Sequence, residues 1–164
     1  MNRFALLAAS LLLAGAGAGA DADRLKIVTT TSDLADIAAR IAGEEAEVRS
    51  VCRGTEDPHF LQARPSTILM ARDADLWIRV GMELEIGWEP PVLEGSRNGR
   101  IQPGRLGHLD ASSAVIKRDV PGGPVSRAGG DVHPSGNPHY WLDPYNARVV
   151  AEAMAERIIA LRPA

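Results

Sequence analysis

Three short apolar or β-branched runs, each followed by a stretch with helical spacing, restrict the fold of this chain more than any other feature of its sequence. Leu25-Lys26-Ile27-Val28-Thr29-Thr30 reads as a buried strand. Thr31-Ser32-Asp33 then offers helix caps, and Leu34, Ile37, Ala38 and Ile41 recur at helical spacing up to Gly43, a natural C-cap. Glu47 to Cys52 reads as a second strand. Pro65-Ser66 opens a second helix running toward Asp73-Ala74-Asp75, and Leu76 to Val80 forms a third strand that stops at Gly81. Glu83 to Leu93 carries a third helical pattern, interrupted at Pro90-Pro91, with Trp88 fitting either core or surface. This alternation predicts an α/β domain, a single lobe with a mostly parallel sheet flanked by helices. Right-handed crossovers bring the C-terminal ends of such strands to one edge, where ligands bind.

Beyond residue 94 the pattern weakens. Gly, Pro, Arg, Ser and Asp dominate Gly95 to Pro138, with one more short strand expected around Leu106–Leu109 or Val115–Ile116 and an irregular loop from Pro121 to Gly136. Tyr145 to Leu161 is an amphipathic helix, with Val149, Val150, Ala153, Met154, Ile158 and Leu161 on one face. Asp143 is its expected N-cap and Pro144 its first residue.

Two histidines stand out on this frame. His59 follows a proline in Thr55-Glu56-Asp57-Pro58-His59-Phe60, and His139 does so in Asn137-Pro138-His139-Tyr140-Trp141-Leu142-Asp143-Pro144. Proline fixes its own backbone and pushes the preceding residue toward an extended conformation, so each imidazole is held on a stiff loop suited to a metal ligand. Taken singly, each histidine reads better as a loop residue bonded to backbone groups; it is the pair in matching contexts that favours ligands. Glu56 and Asp57 adjoin His59 and either orient its other ring nitrogen or cap the turn. Tyr140 and Trp141 are expected to pack the second loop against the sheet. His108, without a neighbouring proline, reads as a surface or packing histidine.

The ends and the charge balance narrow the function. Residues 1–20 have the layout of a secretory signal: Asn2-Arg3, an apolar run from Phe4 to Ala14, and small residues Ala18-Gly19-Ala20 at a cleavage site. The run is too short for a membrane span, and no cysteine follows it to carry a lipid anchor. Cleavage near Ala20 and a periplasmic or extracellular location are expected, leaving residues 21–164 as one domain. Loss of Arg3 with the signal takes the formal charge from −3 to −4. No basic stripe with interleaved aromatics is present, which argues against a nucleic-acid partner. Cys52 is the single cysteine, so no internal disulfide forms, and its place after Val48–Val51 suits a small buried side chain better than a ligand.

Together, Asp57-Pro58-His59, Arg64-Pro65-Ser66, Ala74-Asp75-Leu76 leading to Val80-Gly81, and Pro138-His139-Tyr140-Trp141-Leu142-Asp143-Pro144 resemble the zinc- and manganese-binding substrate-binding proteins of ABC transporters. The resemblance runs from about residue 25 to 161. It implies a non-enzymatic protein that captures a divalent ion, zinc first and manganese second, for an ABC permease at the membrane. It also implies His59 and His139 as ligands from a first lobe. In that family a second lobe supplies the remaining ligands, and the resemblance stops before it, so a first lobe alone is expected here. His133, in Asp131-Val132-His133-Pro134, is placed to swing in as a third nitrogen. The family often has a His-rich, metal-collecting loop near this position, which is the alternative role for His133.

Two other classes of function compete. A secreted metal-dependent hydrolase using His59, His139, a water and Glu56 as base is chemically conceivable, but the sequence has no His-Glu-x-x-His, Gly-x-Ser-x-Gly or phosphate-cradling glycine motif. A half-protein that buffers metal or self-associates through an exposed inter-lobe face is the other.

Overall fold

The computed structural model describes residues 24–125 and 132–163. The expected signal segment, residues 1–20, and residues 126–131 of the expected loop lie outside the described residues. Eight main elements follow in the order β1 (Leu25–Thr29), α1 (Ser32–Ala42), β2 (Ala46–Ser50), α2 (Pro65–Asp73), β3 (Leu76–Arg79), α3 (Glu89–Ser96), β4 (His108–Asp110) and α4 (Pro144–Leu161). The strands form one sheet in the order β2-β1-β3-β4, and every pairing is parallel. The predicted α/β lobe ending in an amphipathic helix is what the chain forms.

Strand alternation explains the two cores. Ile27, Leu76 and Ile78 turn to one face, where they meet Leu34 and Ala38 of α1 and Val150 and Met154 of α4. Val28 and Trp77 turn to the other, against Ala71 of α2, Val92 of α3 and Trp88. Each fully buried aliphatic side chain of this kind contributes ~1.5–3 kcal/mol. Helix ends follow the sequence: Gly43 takes φ +55 after α1 and its N–H reaches Ala39 O, while Asp143 caps α4 by accepting from Tyr145 N–H at 2.8 Å.

Several boundaries differ from the sequence reading. β2 begins at Ala46 and ends at Ser50 rather than spanning Glu47 to Cys52; the Ser50 hydroxyl donates to Cys52 O at 2.6 Å and turns the chain. The third helix does not run from Glu83. Met82 and Glu83 have φ of +51 and +68, which no helix accommodates, and the helix begins only at Glu89. Pro90-Pro91 therefore opens the helix instead of interrupting it, in the first turn where N–H groups have no partner anyway. Of the two positions considered for a fourth strand, the earlier one holds it, at His108–Asp110, and residues 115–116 are not in a strand.

A partly buried charge cluster joins α3 and β4 to β3. The Arg79 guanidinium pairs with Glu89 at 2.6 Å and with Asp110 at 2.8 Å, and the Trp77 indole donates to Glu89 at 2.8 Å. His108 is buried at the start of β4 with Nε2 3.8 Å from Glu89, so it packs in the core, well away from the proline-histidine loops.

Candidate metal site

Both proline-histidine loops are built the same way. Asp57 Oδ1 accepts the His59 N–H at 2.9 Å, and Asn137 Oδ1 accepts the His139 N–H at 3.0 Å. A short polar side chain reaching over a proline to the next-but-one N–H makes an Asx turn, in which proline supplies a pre-set φ. Spacing alone reveals this: Asx-Pro-His occurs twice in the chain and Asp143-Pro144-Tyr145 repeats the device at α4.

The loops are also anchored from outside. The Trp88 indole, fully buried, donates to Pro58 O at 2.9 Å, and the Tyr140 hydroxyl donates to Val80 O at 2.6 Å. Burial, together with the nearby Glu85 and Asp110 charges, pushes the Tyr140 phenol well above its usual range, so it stays a donor. Trp141 stands edge-on to Tyr140 and lies 5.3 Å, centroid to centroid, from the His139 ring. These contacts give Tyr140 and Trp141 the packing role expected of them.

Three of the four histidines meet at the C-terminal edge of the sheet. His59 Nε2 lies 3.1 Å from His133 Nε2, with ring centroids 5.1 Å apart, and the His139 ring centroid is 5.6 Å from that of His59. Two imidazoles on one tetrahedral zinc, at ~2.0–2.1 Å each, hold their nitrogens roughly 3.3 Å apart. The His59–His133 pair is thus at ligand spacing, with the third ring beside it. Among the described residues no three His, Cys, Asp or Glu side chains are gathered closely enough to hold a metal ion.

The carboxylates beside His59 divide their roles. Asp57 Oδ1 lies 2.7 Å from His59 Nδ1 as well as on its N–H, and these two bonds hold the Asp57 carboxyl below the usual range. Glu56 turns away: it accepts from Arg53 N–H at 2.9 Å and pairs with Arg64 at 3.3 Å, closing its own turn. Cys52 is buried, and its thiol faces Glu56 O at 3.1 Å. Burial and the Glu56 and Asp57 charges push this thiol up, which keeps it protonated.

One buried carboxylate, where β1 and β3 end, had no signature in the sequence. Glu85, only 1 % exposed, accepts from Thr30 Oγ1 and Val80 N at 2.7 Å and from Gly81 N at 3.1 Å, where β1 and β3 end side by side. Burial raises its pKa to about 7 despite those donors. Its position within an expected helix concealed it.

The family described as "ZnuA: Zinc-uptake complex component A periplasmic" matches residues 27–164. The chain belongs to the ZnuA family. ZnuA-family proteins are substrate-binding proteins and not enzymes. The manganese ABC transporter substrate-binding lipoprotein PsaA of Streptococcus pneumoniae is 31 % identical over 98 % of the chain and 48 % of its own length. The iron-binding protein YfeA of Yersinia pestis is 30 % identical over 86 % of the chain and 40 % of its own length. Among solved structures, the Mn-bound periplasmic metal-binding protein of Candidatus Liberibacter asiaticus superposes with a TM-score of 0.67, covering 85 % of this chain and 47 % of that one at 21 % identity, a likeness of fold. The chain therefore spans about half the length, or less, of the ZnuA-family relatives it matches.

Proposed function

We propose that this chain is the part of an exported metal-capture protein that takes up a divalent transition metal for an ABC import permease, with residues 1–20 as its export signal. The observation that carries the reading is the convergence of three loop histidines, with His59 and His133 nitrogens 3.1 Å apart and His139 adjacent. His59, His139 and His133 are the ligands in this proposal, and Asp57 holds the His59 ring through Nδ1 so that Nε2 faces the ion. The convergence favours His133 as a member of the main site over a separate collecting role. The metal is cargo, and no chemistry is done on it.

Three neutral imidazoles suit zinc, and a carboxylate in a further position shifts preference toward manganese. The family description names zinc, while the relatives compared above are named for manganese and iron. Zinc is the first choice and manganese the second. Calorimetric titration of the chain with each metal, beside a His59→Ala/His139→Ala variant, tests the reading. One equivalent of zinc bound by the chain and lost in the variant is expected; equal binding by both proteins would remove these histidines from the site.

A further inference from the structure

The connection between β3 and α3, residues 80–88, touches all three histidine loops. Its Val80 carbonyl accepts the hydroxyl of Tyr140, next to His139. Its Trp88 indole donates to the carbonyl of Pro58, next to His59. Its Glu83 carboxylate accepts from the Ser135 hydroxyl at 3.4 Å, two residues past His133. The loops come from distant parts of the sequence, and this one segment is their shared support.

The segment has an unusual shape and an internal staple. Gly81, Met82 and Glu83 have φ of +87, +51 and +68, a run of left-handed backbone that costs free energy at the two non-glycine positions. Glu85 holds that run by accepting the N–H groups of Val80 and Gly81, and it ties the run to β1 through Thr30. The sheet order reverses between β1 and β3, the place where α/β folds leave a crevice for ligands. Here the chain fills that crevice with its own carboxylate. An apolar side chain of similar size would take this acceptor from the Val80 and Gly81 N–H groups, so the carboxylate is what holds the backbone run.

We propose that Glu85 is a positioning residue for the metal site: by fixing the 80–88 connection it sets the mutual placement of His59, His133 and His139. This rests on the metal-capture reading above, and the test separates the two. Glu85→Gln keeps the size and one acceptor oxygen but turns an amide NH2 toward the Gly81 N–H. Trp88→Phe keeps a buried ring and removes the bond to Pro58. Leu25→Ala, at the opposite end of β1, weakens the core far from the loops and serves as the control. Zinc affinity is expected to fall about tenfold in the first two variants, with an altered visible spectrum when cobalt(II) is bound. The control should keep both affinity and spectrum. Imidazole NMR of His59 without metal gives an independent reading, and both variants should disturb its contact with His133.

Folded Glu85→Gln and Trp88→Phe proteins with unchanged affinity and imidazole spectra would overturn the proposal. So would an equal affinity loss in Leu25→Ala, which would make general destabilisation the cause. If Glu85→Gln does not fold, Trp88→Phe decides. If the unaltered chain binds no zinc, or the His59→Ala/His139→Ala variant binds it fully, the metal reading falls instead. The metal-free imidazole spectra then decide the placement role by themselves: disturbed spectra support it and unchanged spectra refute it.

Discussion

Asp57 does two jobs with one oxygen, accepting from its neighbour's backbone N–H and meeting that neighbour's ring nitrogen. Asp57→Ala removes both, and zinc affinity should fall about tenfold or more in a competition assay with a chelating dye. Glu56→Ala, by contrast, should leave affinity within about twofold, because its carboxylate bonds Arg53 and Arg64 instead. Glu85 gives a pH prediction with a definite sign. Its folded pKa of about 7 lies above the ordinary 4.5, so between those values the folded chain holds a proton that the unfolded chain has released. Its contribution is fully present below pH ~4.5 and is lost as pH rises through ~7, on the order of 3 kcal/mol in total. Urea denaturation of the chain and of Glu85→Gln across that range should show the unaltered chain losing stability relative to the variant as pH rises. Parallel curves would sink the assignment.

Among the elements, β1 to β3, α1 and α4 were legible in the sequence because each carries its own apolar pattern, and the two helices their own caps, Gly43 and Asp143. Residues 80–88 were not legible. Leu84, Trp88 and Val92 sit at helical spacing and are all buried, yet the first two bury themselves from turns that tertiary contacts impose. Glu85, at an apparently polar helical position, was hidden for the same reason. His59 and His139 were legible from their prolines, whereas the approach of His133 depends on a loop path that no periodicity records. The left-handed run makes its own prediction. A Cβ on Gly81 would lie 2.0 Å from Asp110 Oδ1 at a φ of +87, so Gly81→Ala should cost at least ~2 kcal/mol, read as a lower urea midpoint. Asp143→Ala, which only uncaps α4, should cost about 1 kcal/mol and lower Tm by ~2–4 °C.

At the scale of the whole molecule, the histidine loops lie at one edge of the sheet and the two cores on its faces, joined through Tyr140 of one core and Trp88 of the other. Binding that favours the folded chain must still raise its stability. Zinc at a hundredfold excess over Kd should add ~2.7 kcal/mol, seen as a higher Tm that a chelator reverses. No zinc-dependent shift in Tm would contradict the metal-capture reading. Phe60, beside the His59 ring, and Leu142, three residues past His139, are both more than half exposed.

The contact between His59 and His133 has a last consequence. A hydrogen bond between two Nε2 atoms requires opposite tautomers, and Asp57 settles which is which. With its hydrogen on Nδ1 facing Asp57, a neutral His59 offers a lone pair at Nε2, and His133 must be the partner that fills it. For both rings to grasp one cation, His133 has to relocate that hydrogen to its other nitrogen. On the proposed reading, metal entry then exchanges one ring-to-ring hydrogen bond for two bonds to the ion, and the pair keeps both of its ring hydrogens.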